Sequence, residues 1–216
     1  MISMGGSSRQ SLAALRSALD SSLKGASSGD CSHLSSDLFS ALGALESSAG
    51  LRRALTDPAR DVAAKSNLVS DLFKSVLKGP ALALLTQAAG LRWSSPADFA
   101  DAIEQLAVEA EAAAANSENK LDSLLDELFG FSKSLVENPD LRSALTNSGD
   151  TLARKVELMK SIFGAKFGSH TISLITQIVS GRSGRSIEKT LSAHIHAVTA
   201  RRNRVNAFIS TAIPLT

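Results

Sequence analysis

An all-α fold made of two tandem helical bundles is what this sequence predicts, and three observations carry that expectation. Leu and Ala, both strong helix formers, dominate the apolar residues and recur at three- and four-residue spacing along most of the chain. β-Branched runs are scarce until the C-terminal stretch, and only 4% of residues are aromatic, with one tryptophan, Trp93, and no tyrosine. The third observation is an internal repeat. Leu51–Phe73 reads LRRALTDPARDVAAKSNLVSDLF, and ninety residues on Leu141–Phe163 reads LRSALTNSGDTLARKVELMKSIF. Without a gap, Leu51, Arg52, Ala54, Leu55 and Thr56 fall on Leu141, Arg142, Ala144, Leu145 and Thr146, and Lys65, Leu68 and Phe73 fall on Lys155, Leu158 and Phe163. The register extends upstream to Leu38-Phe39 on Leu128-Phe129 and downstream to Thr86-Gln87 on Thr176-Gln177. This period exceeds the roughly 20–50 residues of solenoid repeats, so each copy is large enough to be a small domain.

The elements follow in order. Residues 1–10 are small and polar and are predicted to be disordered. Leu12, Leu15 and Leu19 mark a first helix, and KGASSGD (24–30) a loop. Leu34, Leu38, Leu42 and Leu45, with Phe39 beside them, mark a second helix, which Gly50 is expected to close in a left-handed conformation. Leu51–Leu55 is a short helix stopped at Asp57-Pro58, because proline disfavours helical geometry in the residue before it. Asp61–Leu77 resumes with Leu68, Val69, Leu72, Phe73 and Val76 as its apolar stripe. Gly79-Pro80 then opens Ala81–Ala89, an almost wholly apolar helix expected at the centre of its bundle.

RWSSPAD (92–98) is the junction. Ser95 as cap, Pro96 in the first turn and Asp98 near the positive helix end make a strong start for Ala97–Ala115, which shows Phe99, Ile103, Leu106 and Ala110 on one face. Leu121, Leu124, Leu125, Leu128, Phe129 and Leu135 form the stripe of the next helix, and Asn138 is expected to cap the short helix after it. The second copy continues through Thr151–Phe163, a break at 164–168, Thr171–Val179, a loop at Gly181–Arg185, and a helix capped by Ser186 that carries Ile187, Leu191, Ile195 and Val198. Val205–Ile213 is richer in β-branched residues, ends at Pro214, and reads as a strand. The resulting division is a disordered 1–10, a first bundle at 11–94, a second bundle at 95–199, and the start of a further domain at 200–216.

Charge is unevenly spread although the formal net charge is only +2. Residues 101–150 hold 3 Lys/Arg against 11 Asp/Glu, and residues 151–216 hold 10 against 2. Such blocks pair most simply across neighbouring helices; a bipartite partner surface is the other reading. Glu104, Glu109 and Glu111 read as a solvated helix face. Arg182, Arg185, Arg201, Arg202 and Arg204 could grip phosphates, but only Phe208 lies near them to stack a base, so nucleic acid is not expected as a partner.

Chemistry is not what the residues point to. The lone Cys31 leaves no partner for an internal disulfide, and with His33 it makes no metal cage. His194 and His196 sit two apart, which turns their rings to roughly opposite sides of a helix, and His170 reads as an exposed or capping residue. No GxGxxG, GxxxxGK[ST] or GxSxG stretch is present, and no serine has a base beside it, so neither catalytic residues, a cofactor nor a metal is expected. No apolar run approaches the roughly 20 residues of a membrane span, and the N-terminus lacks the apolar core of a signal peptide, which predicts a cytoplasmic setting.

LDSLLDELFGFSKSLVENPDLRSALTN (121–147), then LARKVELMKSIF (152–163), and finally TAIPLT (211–216) resemble the delta-subunit family of bacterial F-type ATP synthases, whose mitochondrial counterpart is the oligomycin-sensitivity-conferring protein. The matching pattern is an NP-x-L-x-x-x-L turn, a lysine some residues later (Lys155), and an A-x-PL segment (Ala212, Pro214, Leu215). Residues 99–216 would then cover the family's helical N-terminal domain and the first strand of its C-terminal domain. GGSSRQSLAALRSALD, LRRALTDP and RWSSPADF resemble the longer actinobacterial form, with residues 11–98 as an extra helical copy. The family's D-x-x-x-x-GG stretch is missing, so the resemblance predicts a C-terminally truncated chain.

That resemblance implies a stator linker, not a catalyst: a peripheral-stalk subunit at the cytoplasmic face of the cell membrane that supports proton-driven ATP synthesis. It implies the N-terminal helices of the alpha subunits as partners, held in grooves between helices, and the b subunit as a partner of the missing C-terminal domain. By position, Ile103, Leu106 and Ala110 on one helix and Thr171, Leu174 and Ile178 on another become candidate groove residues, with plain core packing as their other reading. A helical adaptor of another complex would share this composition.

Overall fold

The computed structural model describes residues 4–147, 149–180 and 185–211, with side chains as far as Asn203. It contains eleven helices and, among the described residues, no β-sheet. They are α1 (Gly6–Leu23), α2 (Ser28–Ser47), α3 (Ala49–Thr56), α4 (Val62–Phe73), α5 (Gly79–Gly90), α6 (Pro96–Ser117), α7 (Leu121–Glu137), α8 (Pro139–Thr146), α9 (Leu152–Phe163), α10 (Ser169–Ser180) and α11 (Ile187–Thr211). The chain divides into two compact units, one running to Ala114 and the other from Ala115. The boundary between the two units lies within α6.

The first unit begins earlier than the sequence suggests. α1 starts at Gly6, inside the stretch expected to be disordered, and Met4 and Ser8 are buried. Met4 packs with Leu12, Ala102 and Trp93, and the Ser8 hydroxyl accepts the Ser94 N–H at 2.8 Å, so burial and a satisfied hydroxyl fix this segment. Leu12, Leu15, Leu19 and Leu23 form the buried stripe of α1, which packs on α5. Gly25, with φ +76°, supplies the left-handed turn before α2.

A capping box starts α2. The Asp30 N–H donates to the Ser27 hydroxyl at 3.1 Å, and the Ser27 N–H donates to the Asp30 carboxylate at 3.2 Å. Hydrogen bonds from the Ser27 hydroxyl and N–H hold the Asp30 carboxyl below its ordinary range. A depressed folded-state value means that this contribution is present above the unfolded pKa and is lost as pH falls through the folded one. Ser27→Ala is expected to cost about 1 kcal/mol near neutral pH, with a smaller penalty in acid, as read by chemical denaturation across pH.

Gly50 does not end α2. The helix stops at Ser47, and Ser48 turns the chain in extended conformation and accepts the Leu51 N–H at 3.1 Å as cap of α3, which contains Gly50. The Arg52 guanidinium closes the end of α2 by donating to the carbonyls of Leu45 and Glu46. On α4 the buried side chains are Lys65, Val69 and Phe73, so Val69 and Phe73 of the expected stripe lie inside, whereas Leu68 is half-buried and Leu72, like Val76 beyond the helix, is exposed. α5 is the buried helix of the expectation, with Ala81, Leu84, Leu85, Ala88 and Ala89 inside.

The same local devices recur ninety residues on. Asp37 accepts the Lys78 N–H at 3.1 Å, and Glu127 accepts the Gly168 N–H at 2.8 Å, each clasping the segment that leads into α5 or α10. Asp57 accepts the Ala59 N–H and Asn147 the Gly149 N–H, two Asx turns after α3 and α8. Thr56 and Thr146 both donate to the carbonyl four residues back at 2.8 Å. Four helix starts, Gly6, Ala49, Val62 and Gly79, have counterparts at Pro96, Pro139, Leu152 and Ser169.

In the second unit α7 packs on α11, α10 and α8, and α10 packs on α9 and α11. Phe131 meets Phe163 edge-on at 5.4 Å, and Phe163 stacks on Phe167 at 4.9 Å. Phe129, expected in the α7 stripe, is 55% exposed instead. Asn138 makes no side-chain cap; its amide donates back to Ser134, and Pro139 at the first turn needs no acceptor for a missing N–H. The Ser186 hydroxyl does cap α11, accepting the Lys189 N–H at 3.4 Å. Arg142 pairs with Glu188 in the first turn of α11. The carboxyl of Glu188 lies below its ordinary range, first through its own backbone N–H and then through Arg142. The predicted strand at 205–213 is not formed: α11 runs to Thr211, and residues 212–216 lie outside the described residues. Helical continuation from the Arg201–Arg204 turn satisfies the backbone internally, whereas a lone strand has no partner for its N–H and C=O groups.

Candidate functional site

α6 opens as the sequence predicts. The Asp98 N–H donates to the Ser95 hydroxyl at 3.1 Å, the hydroxyl donates to the Asp98 carboxylate at 2.8 Å, and the Gly5 N–H adds a second bond to that carboxylate at 3.3 Å. From Phe99 to Ala115 every residue of the helix is buried except the half-buried Gln105 and Ala113. Ile103, Leu106 and Ala110 are fully buried, and so are Glu104, Glu109 and Glu111, which corrects the expectation of a solvated acidic face. Inside a helix enclosed in this way a carboxylate persists only with partners. Arg16 donates to Glu109 at 2.7 Å and to Gln105 at 3.2 Å, and the Ser32 hydroxyl donates to Glu111 at 3.1 Å. These bonds tie α6 to α1 and α2.

Thr171, Leu174 and Ile178 share the inner side of α10, and none is more than 1% exposed. All six candidate groove residues are thus core positions in this structure, and the two triplets belong to different units. What α10 leaves partly exposed is a different set: Ile172, Ser173, Thr176 and Gln177, a face without one charged side chain. α5 repeats the arrangement with Leu82, Ala83, Thr86 and Gln87. The cue was present in the sequence, where neither helix carries an Asp, Glu, Lys or Arg.

The histidines divide by burial. His194 is buried and His196 exposed, so the pair lies on different sides of α11. His170, expected at the surface, is buried with its Nε2 3.5 Å from Glu118, whose carboxylate also meets Lys120 at 2.7 Å. Arg202 on α11 lies 3.4 Å from Asp122 on α7, one pairing between the basic and acidic blocks. A cleft of about 450 Å³ between α8 and α9 is lined by Ala144 and Leu158 with Arg154, Lys155 and Glu157. No helix among the described residues is long and apolar enough to cross a membrane.

Packed helices, uncharged outer faces and open clefts define an all-helical interaction protein, one whose contribution lies in its surfaces. Comparison with known proteins makes the class specific. The family model of the ATP synthase delta (OSCP) subunit matches residues 106–216. ATP synthase subunit delta of Streptomyces coelicolor is 37% identical over 215 residues, covering 100% of this chain and 78% of that protein. That of Streptomyces avermitilis is 39% identical over 210 residues (97% and 77%), and that of Kineococcus radiotolerans 35% over 211 (98% and 76%). The chain belongs to the ATP synthase delta (OSCP) family, the structural, non-catalytic component of the peripheral stalk. These relatives match the first unit as well as the second, so the helices ahead of residue 106 are part of the likeness.

Proposed function

We propose that this chain links the synthase head to the stator by accepting the N-terminal helix of an alpha subunit against the outer face of α10. The observation that supports this reading is the absence of charge from a partly exposed helix face. Water-facing helix surfaces ordinarily carry charged residues, and the centres of protein interfaces are depleted of them. A bound amphipathic helix would cover Ile172 and leave Ser173, Thr176 and Gln177 to hydrogen-bond at its edges. Thr171, Leu174 and Ile178 then act from behind, fixing α10 in its unit, and Ile103, Leu106 and Ala110 fix α6 in its own. In this role the chain sits peripherally at the cytoplasmic face of the membrane, held there through the complex. We assign no described surface to the b subunit.

The test is fluorescence polarisation of a labelled alpha N-terminal peptide titrated with the full chain. Ile172→Glu is expected to weaken binding by about tenfold or more, the equivalent of about 1.4 kcal/mol, with the melting temperature unchanged. Equal affinity for Ile172→Glu and the parent chain would remove α10 as the docking face.

A further inference from the structure

The first unit carries a second kind of surface, at the end of α3 and the entry to α6. A cleft of about 650 Å³ is lined there by Trp93, Pro58, Pro96, Ala54, Arg53 and Arg60. Its aromatic wall is held in place from within the unit. The indole N–H of Trp93 donates to the Ala88 carbonyl at 2.8 Å, and its ring meets Phe99 edge-on at 5.4 Å. The same side chain packs against the cluster of Met4, Leu12 and Ala102. Trp93 is nevertheless only half-buried, because the cleft keeps part of it open.

The electrostatics of the cleft favour an anion. Arg53 and Arg60 are both exposed, and neither is ion-paired among the described residues. Among the charged residues that line the cleft, Arg53 and Arg60 outnumber the one acid, Asp57, whose carboxylate accepts the Ala59 N–H at 2.9 Å. In the ungapped register of the repeat, the second copy has Ser143, Asp150 and Ser183 where the first has Arg53, Arg60 and Trp93. The aromatic, cationic combination therefore belongs to the first copy alone.

We infer that this cleft docks an acidic segment of a partner polypeptide through one apolar side chain, which lies on Trp93 between Pro58 and Pro96 while flanking carboxylates meet Arg53 and Arg60. A volume of this size holds one large side chain and the backbone on either side of it. Two guanidiniums in an open rim select acidic sequence by charge and speed encounter, and the buried apolar contact supplies the anchor. This surface is separate from α10, so neither proposal depends on the other.

Trp93 is the sole tryptophan in a chain without tyrosine, so its emission reports on this cleft directly. The probe is a short blocked peptide of alternating Glu and Leu, titrated into the full chain at low salt. A saturable change in Trp93 emission is expected. It should weaken about tenfold or more in Arg53→Glu/Arg60→Glu, and it should be absent with the peptide in which Lys replaces Glu. If the double reversal lowers the melting temperature, Arg53→Gln/Arg60→Gln reads the same contrast and should weaken binding in the same direction. The inference is overturned by no saturable change, by an equal response to the Lys or a Gln peptide, or by undiminished affinity in a folded charge variant.

Discussion

Leu174→Asp is expected to abolish the cooperative melting of the second unit. Leu174 is fully buried on α10, a helix that packs on α7, α9 and α11, so its replacement places a carboxylate in a site with no water and no designed partner. Burying such a group costs several kcal/mol, and a domain has only about 5–15 kcal/mol of stability to lose. Circular dichroism during heating should show the loss at the transition of that unit. Ile172→Glu, two residues earlier and partly exposed, should melt like the parent chain. The contrast separates the packing role of α10 from its outer face. It also explains why a binding defect in Leu174→Asp alone would say nothing about docking.

The second large effect is expected at the α1–α6 ion pair. Glu109 has no exposed surface, whereas Arg16 retains 27% of its side-chain exposure. The two partners are therefore not equivalent. Arg16→Ala takes the guanidinium away from a buried carboxylate and is expected to lower the transition of the first unit by several degrees. Glu109→Gln leaves a neutral group that still accepts from Arg16, and the arginine reaches water, so its cost should be well under half as large. Thermal melts of the two variants check the order; equal losses would mean that the salt bridge does not set the stability of α6.

Much of this architecture was legible. Leu12, Leu15 and Leu19, the Ser95–Asp98 cap and the apolar run Ala81–Ala89 appear as read, because each depends on spacing or on a cap within one turn. α4 was legible only in part: Val69 and Phe73 lie inside as expected, and Leu72 does not. Leu68, Leu72 and Val76 follow helical spacing as well as Val69 and Phe73 do, and the true face is disguised by Lys65, which is buried along its aliphatic stem. The acids of α6 were misread for another reason: the partners that make their burial tolerable, Arg16 and Ser32, lie far away in sequence. Local texture also failed at Val205–Thr211, where β-branched composition gave way to an established helix. The six groove candidates prove to be core positions of α6 and α10, because apolar spacing identifies what a helix buries and not what it shows.

The paired clasps carry a consequence for how this chain is made. Two stretches that share turns and latches emerge from the ribosome one after the other, and a nascent chain of this kind risks joining the wrong halves. The two latches differ by a single methylene: the shorter Asp37 holds the Lys78 amide and the longer Glu127 holds that of Gly168. The latch is therefore kept at both sites while its length changes.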